Sequence, residues 1–313
     1  MDVLVSGSLA YDRIMDFPGL FSDHIMADQL HNINVSFTVS SLAEKHGGTA
    51  GNIGYSLALL GENPRILATV GHDYHQYFQW LEDCGLATED IRIIPEELTA
   101  SAYITTDTDG NQITGFNPGA MKHPSLCDLS KLDPSQCVAI VAHGNIQDMA
   151  EYIGAYQDKN IFAIFDPGQS LPAWGGADLA AAIGRSKMLV SNDYELGLIN
   201  NMTGLSVHQL LQNVETVITT KGDQGTEVTS QGGAVTVPAI PTEKVVDPTG
   251  AGDAFRGGLI KGLIQGQPVK RAVEMGTVCA HYVIQTKGTQ EYRFTLAEFE
   301  ATLAQHFGPD PAS

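Results

Sequence analysis

Val246-Asp-Pro-Thr-Gly-Ala-Gly-Asp-Ala-Phe-Arg-Gly-Gly258 is the stretch on which the reading of this chain turns. After Gly252, the apolar residues Phe255, Leu259 and Leu263 recur at a spacing that places them on one helix face. A glycine turn therefore feeds a helix start. Amides of Gly250, Ala251 and Gly252 have no partner inside such a helix, and the helix dipole adds partial positive charge beside them. Together they describe an anion site. Asp253 lies in the first turn. Alone, it reads as a capping or dipole-matching acid. Beside an anion site it also suits a general base for an attacking hydroxyl held between carboxylate and anion.

Upstream of this stretch, short apolar runs alternate with helical patterns. Val3 to Gly7, Arg65 to Val70, Val138 to Ala142, Ile161 to Phe165, Met188 to Ser191 and Val217 to Thr220 read as buried strands. Asn52 to Leu60 and Tyr74 to Cys84 read as helices. The alternation predicts an α/β fold with a mainly parallel central sheet covered on both faces. Two segments break the rhythm. Asp16 to Glu44 is polar and mixed, with strand-like alternation around Asn32 to Val39. Ala100 to Ile113 reads as a hairpin with Asp109-Gly110 at its turn. These segments are expected to pair into a small β-sheet that projects from the body as a lid.

Composition narrows the classes of function. The chain has 313 residues, 43% of them hydrophobic, which suits a globular protein with a sizeable core. Its 17 basic and 36 acidic residues give a formal charge of −19. Such a surface disfavours nucleic acid and anionic membranes as partners. A nucleotide remains possible, because amides and a metal can hold phosphate without net positive charge. Cys84, Cys127, Cys137 and Cys279 form no C-x-x-C pair and read as thiols of a reducing cytosol. No secretory leader is apparent at Met1, and no apolar run approaches the roughly 20 residues that cross a bilayer. A cytoplasmic location is the expectation. The chain lacks G-x-x-x-x-G-K-[ST], G-x-G-x-x-G after its first strand, and H-E-x-x-H. Asp107-Thr-Asp-Gly-Asn111 has its glycine misplaced for a calcium loop and suits a hairpin turn.

Five motifs then fall in one order. They are Gly7-Ser-Leu-Ala-Tyr-Asp12, Gly47-Gly-Thr-Ala-Gly-Asn52, Asn192-Asp-Tyr-Glu195, Thr220-Lys-Gly-Asp-Gln-Gly225 and Asp247-Pro-Thr-Gly-Ala-Gly-Asp253. In that order the chain resembles the ribokinase-like (PfkB) carbohydrate and nucleoside kinases over nearly its whole length. The resemblance implies a ribokinase-like three-layer sandwich, one kinase domain over residues 1–313, with a β lid from about 13–46 and 100–118. It implies an ATP-dependent phosphotransferase with Asp253 as catalytic base and Gly250, Ala251 and Gly252 as anion hole. Asp12, Gly47, Gly48 and Asn52 would serve the acceptor, with Gly47 and Gly48 also a hinge. Asn192, Thr220, Gly222 and Gly225 would serve the nucleotide. Glu195 would organise Mg²⁺ through water, and Asp247 would lie beside a K⁺ ion.

The acceptor is indicated by weaker signals. Gln112-Ile-Thr-Gly-Phe-Asn-Pro-Gly-Ala-Met121, Phe165-Asp-Pro-Gly-Gln169 and Gly288-Thr-Gln-Glu-Tyr292 are similar to the bacterial adenosine-kinase-like branch. That likeness implies transfer from ATP to the ribose 5′-hydroxyl of adenosine, giving ADP and AMP, with Phe116 stacking on the base and Met121 beside it. Ribose, fructose or another nucleoside as acceptor, or a non-catalytic binding module, are the alternatives. A monomer and a homodimer are both compatible with the sequence.

Overall fold

The computed structural model describes residues 1–25 and 35–309. Strands are β1 (Asp2–Ser6), β2 (Ala10–Asp16), β3 (Ser41–Gly47), β4 (Arg65–Gly71), β5 (Ile91–Ile94), β6 (Ala100–Thr106), β7 (Gln112–Asn117), β8 (Cys137–Val141), β9 (Phe162–Phe165), β10 (Met188–Asn192), β11 (Thr216–Thr220), β12 (Thr226–Ser230) and β13 (Gly233–Val237). Helices are α1 (Thr49–Leu59), α2 (His75–Asp83), α3 (Ile146–Asp158), α4 (Gly176–Gly184), α5 (Asp193–Thr203), α6 (Val207–Leu210), α7 (Ala251–Ile264), α8 (Val269–Val283) and α9 (Leu296–Phe307).

Side chains alternate across each buried strand, and this builds three layers. On one face of the large sheet, Val3, Val5, Ile140, Val190 and Ile218 pack with Ile53 and Leu57 of α1 and Phe255 and Leu259 of α7. On the other, Leu4, Val141, Leu189 and Val217 pack with Ile153 of α3 and Leu179 and Ile183 of α4. Successive residues point to opposite faces and both faces are dry, so each strand is apolar throughout. The order of the large sheet is β13-β12-β11-β10-β9-β8-β1-β4-β5. Pairing is parallel from β5 to β11 and antiparallel at β12 and β13. The chain starts in the middle, at β1. It moves outward through β4 and β5, then returns to β8 on the other side. Such a reversal opens a crevice at the carboxyl ends of the strands. Residues that follow those ends, or close them, are Gly7, His143, Asp166, Asn192 and Thr220.

A second sheet has the order β3-β2-β6-β7. Asp12 pairs with Lys45 on β3 and with Ala102 on β6, and Ala102 pairs with Phe116 on β7. The hairpin expected between Ala100 and Ile113 forms, and its strands run on to Asn117. Asp107 organises the turn by accepting from the amides of Asp109, Asn111 and Phe21 at 3.0, 2.8 and 3.1 Å. Two boundaries differ from expectation. The small sheet begins at Ala10 rather than Arg13, because β2 leaves β1 after only three residues. The strand expected around Asn32 to Val39 is instead Ser41–Gly47. Residues 35–40 form no regular element, and 26–34 lie outside the described residues. Residues 310–313 lie outside the described residues.

Candidate active site

The glycine turn and helix start are as the sequence predicts, with one change of register. Gly250 is the N-cap of α7 with a left-handed φ of 80°. The Ala251 amide is engaged by Pro248 O at 3.2 Å, so it is not a donor to a ligand. Amides of Gly250, Gly252 and Asp253 carry no hydrogen-bond partner among the described residues. The unpartnered amides at the turn are therefore those of Gly250, Gly252 and Asp253, where Gly250, Ala251 and Gly252 were expected.

Two cavities meet at this helix start, sharing Thr220, Pro248 and Gly252 in their walls. One, of about 540 Å³, is lined by Gly222, Gly225, Ala251, His281 and Ile284 among others and is largely apolar. The other, of about 760 Å³, is lined by Asp12, Gly48, Asn52, Phe116, Asn192 and Asp253 among others. Met121, Gln169, Glu195 and Gly250 also line it. Asp12, Ala102 and Phe116 are in register across three neighbouring strands, so all three lie on one sheet face. Strand spacing separates the first and last by about 10 Å. Phe116 is 52% exposed and lines the larger cavity.

Asp253 sits deep in the protein but opens to the larger cavity. Burial raises its carboxyl to about 6; Arg256 and a hydrogen bond from Asn52 oppose the rise. Burial also raises Asp12 to about 6, with repulsion from Asp247 adding to it. Asn52 Nδ2 donates to Asp253 Oδ2 at 2.8 Å, and Asn52 Oδ1 accepts from Gln290 Nε2 at 2.9 Å. Both ends of the Asn52 side-chain amide are therefore engaged by protein. Asn52, expected to hold the acceptor, lines the larger cavity and also donates to the Asp253 carboxylate.

Other predicted residues have defined places. Asn192 and Glu195 form a capping box at the start of α5. Asn192 Oδ1 accepts from the Glu195 amide at 2.7 Å, and Glu195 Oε2 from the Asn192 amide at 2.8 Å. Burial raises the Glu195 carboxyl. Gly47 and Asp247 belong to the wall of neither cavity. Gly47 lies against Asp12, where an added Cβ would meet Oδ2 at 2.5 Å. Asp247 accepts from the amides of Thr249 and Gly288 at 2.9 and 3.2 Å, stapling the glycine turn to the loop after α8.

Three residues escaped the sequence reading. Gln290 is 1% exposed and also donates to Tyr77 Oη at 3.1 Å, while Tyr77 Oη donates to Gly47 O at 2.6 Å. Asp166 and Arg256 form a buried ion pair beside Asp253. The signal for Arg256 was present: an arginine one turn after Asp253, in a helix start otherwise made of glycine and apolar residues.

The fold and this site define a phosphotransferase of the nucleoside and sugar kinase class. The chain belongs to the pfkB family of carbohydrate kinases, whose family model matches residues 7–294. It is 29% identical to a nucleoside kinase of Methanocaldococcus jannaschii over 90% of this chain and 95% of that one. A nucleoside kinase of Thermoplasma acidophilum is 30% identical over 85% of this chain and 86% of its own. Among solved structures, a nucleoside kinase of Burkholderia thailandensis in complex with inosine superposes with a TM-score of 0.87. It shares 38% identity over 99% of both chains. The same kinase is also known in complex with ADP and inosine. No helix among the described residues is long and apolar enough to cross a membrane.

Proposed function

We propose that this protein transfers the γ-phosphoryl group of ATP to the 5′-hydroxyl of a purine nucleoside, adenosine being the first candidate. One observation carries the reading: the two cavities join at the Gly252-Asp253 helix start, where an anion site and a carboxylate raised toward neutrality lie side by side. The larger cavity takes the acceptor. Asp12 offers a carboxylate to ribose hydroxyls, and Phe116, about 10 Å away on the same face, offers a ring to the base. A free sugar would leave Phe116 without a function. The inosine complex of the 38% identical relative supports a purine acceptor. The small sheet is read as a lid whose closure excludes water.

The smaller cavity takes the nucleotide, with Thr220 and Gly252 at the phosphate end. Among the described residues no cluster of three or more metal-ligating side chains exists. A Mg²⁺ ion held mainly by ATP phosphates and water fits that finding, since it dehydrates reluctantly. Glu195 Oε1 would bind its water, whereas both oxygens of Asp166 are already held by Arg256. Mg²⁺ would neutralise charge on the phosphates. Asp247 would lie beside K⁺, although both its oxygens already hold loop amides.

Chemistry at the acceptor then belongs to the chain. Asp253 takes the hydroxyl proton as the oxygen attacks, and Asn52 keeps the carboxylate aimed. A rate profile should show this. Asp253 and Asp12 both lose their protons near 6, so kcat/KM should fall as pH drops through about 6. The limiting slope should approach 2 for the native enzyme and 1 for Asp12→Asn. A flat profile down to pH 5 would contradict both assignments. The acceptor is tested by ADP release with Mg²⁺ and K⁺ across adenosine, inosine, cytidine, ribose and fructose. We expect a purine nucleoside to have the highest kcat/KM. A higher value for ribose or fructose would overturn the nucleoside reading.

A further inference from the structure

Arg256 has a buried position that neither packing nor its partner fully explains. It is 6% exposed and follows Asp253 by three residues, so both project from the same side of α7. Its Nη2 donates to Asp166 Oδ1 at 2.9 Å. Its Nε lies against Asp166 Oδ2 as an ion pair without hydrogen-bond geometry. One arm of the fork is therefore held by a carboxylate that is itself 2% exposed. The other arm has no such partner: Nη1 has no hydrogen-bond acceptor among the described residues. It points past the glycine turn, 2.6 Å from where a Cβ on Gly252 would stand.

That placement accounts for Gly252, which in the first turn of a helix needs no unusual backbone. Any side chain there would displace the guanidinium. It also sets Arg256 in the wall of the larger cavity, with Nη1 beside Gly252, which both cavities share. Of the described residues that line either cavity, Arg256 is the one lysine or arginine. Asp12, Asp166, Glu195 and Asp253 line the acceptor cavity with it. An anionic phosphoryl group entering among these carboxylates needs compensation beyond the free amides. Desolvation strengthens whatever charge is supplied, and a guanidinium fixed by a carboxylate needs no reorganisation to supply it.

We propose that Arg256 is a further catalytic residue, whose Nη1 donates to the phosphoryl group as it passes between the cavities. Asp166 is then the positioning residue that holds the fork. In the transfer, the acceptor oxygen bonds to Pγ while the bond from Pγ to its bridging oxygen breaks. The hydroxyl proton goes to Asp253, and the bridging oxygen leaves on ADP. Arg256 gains and loses no proton; it matches charge spread over the equatorial oxygens. The inference rests on the kinase reading above.

The test is Arg256→Gln combined with Asp166→Asn, which removes both charges and strands neither. Three quantities are read besides turnover: Tm, affinity for Mg-ADP plus adenosine, and affinity for Mg-ADP plus adenosine with aluminium fluoride as a phosphoryl mimic. We expect a folded protein, ground-state affinities within about 3-fold of native, and kcat lower by roughly 10²–10³-fold. The tightening produced by aluminium fluoride should be lost by a similar factor. A purely structural pair would leave that tightening intact, and kcat within about 3-fold of native would overturn the proposal. If the double variant does not fold, Arg256→Lys decides. It keeps the charge but loses the fork, so kcat should fall at least about 10-fold with Tm unchanged. Native turnover there overturns the proposal. Absence of turnover in the native protein with every acceptor would instead overturn the kinase reading.

Discussion

Asp253→Asn is expected to lower kcat by about 10²–10⁴-fold and to make the protein more stable at neutral pH. The first effect follows from geometry. An amide cannot take the acceptor proton, yet it keeps the shape and the hydrogen bond from Asn52 Nδ2. Binding of ATP and nucleoside should change little. The second effect follows from burial. The folded protein holds the Asp253 proton up to about 6, against an ordinary value of 3.8. Ionising it therefore costs folding free energy. The cost is absent below the ordinary value, grows as pH rises between the two, and is complete above about 6. A shift of roughly two pH units is at most about 3 kcal/mol, and the opening to the cavity reduces this to about 1–2 kcal/mol. Thermal denaturation at pH 7.5 should show the substitution as stabilising, and at pH 3 the gain should vanish. A variant with native turnover, or one less stable at pH 7.5, would contradict the assignment.

Gly48→Ala is expected to be the most damaging single methyl group near the site. Gly48 has φ of 87° and ψ of 142°, a region essentially confined to glycine. A Cβ would also stand 2.6 Å from Ser8 O, 2.7 Å from Ala10 N and 2.8 Å from Leu9 Cα, all of them backbone. Backbone strain costs about 1–3 kcal/mol and the clash a similar amount, so a loss of about 3–5 kcal/mol is expected. At this chain length that lowers Tm by roughly 5–15 °C. The damage should reach catalysis. Gly48 joins β3 to α1. Asn52, which aims Asp253, lies in the first turn of α1, and its backbone amide donates to Gly48 O at 2.9 Å. We expect nucleoside KM to rise and kcat to fall together. A Tm within about 1 °C of native would show that β3 and α1 can move apart freely, contrary to this account.

The large sheet was legible because each strand is apolar on both faces, and β1, β4, β8, β9, β10 and β11 were found on that basis. The antiparallel β12 and β13 were not; β13 is exposed over Gly233–Thr236, so it carries no apolar run. The small sheet was half legible. Asp109-Gly110 marks its hairpin, but β3 is largely exposed and offers no alternation to place it. At the site, glycine motifs revealed backbone geometry well. They could not reveal which amides are already engaged, as Ala251 is by Pro248, or that Asn52 donates to Asp253. The second of these depends on a contact between residues 201 positions apart. Gln290 meets Asn52 across 238 positions, and Arg256 meets Asp166 across 90. Only the folded chain brings such partners together, and local pattern carries no trace of them.

The central claim is that a phosphoryl group passes from ATP to a nucleoside hydroxyl beside Asp253. The most direct measurement supplies γ-³³P-labelled ATP, Mg²⁺ and adenosine to the native protein and to Asp253→Asn, and separates the products. Label is expected in adenosine 5′-monophosphate with the native protein, and almost none with the variant, although the variant still binds both substrates. Label confined to inorganic phosphate, or equal transfer by the variant, would contradict it.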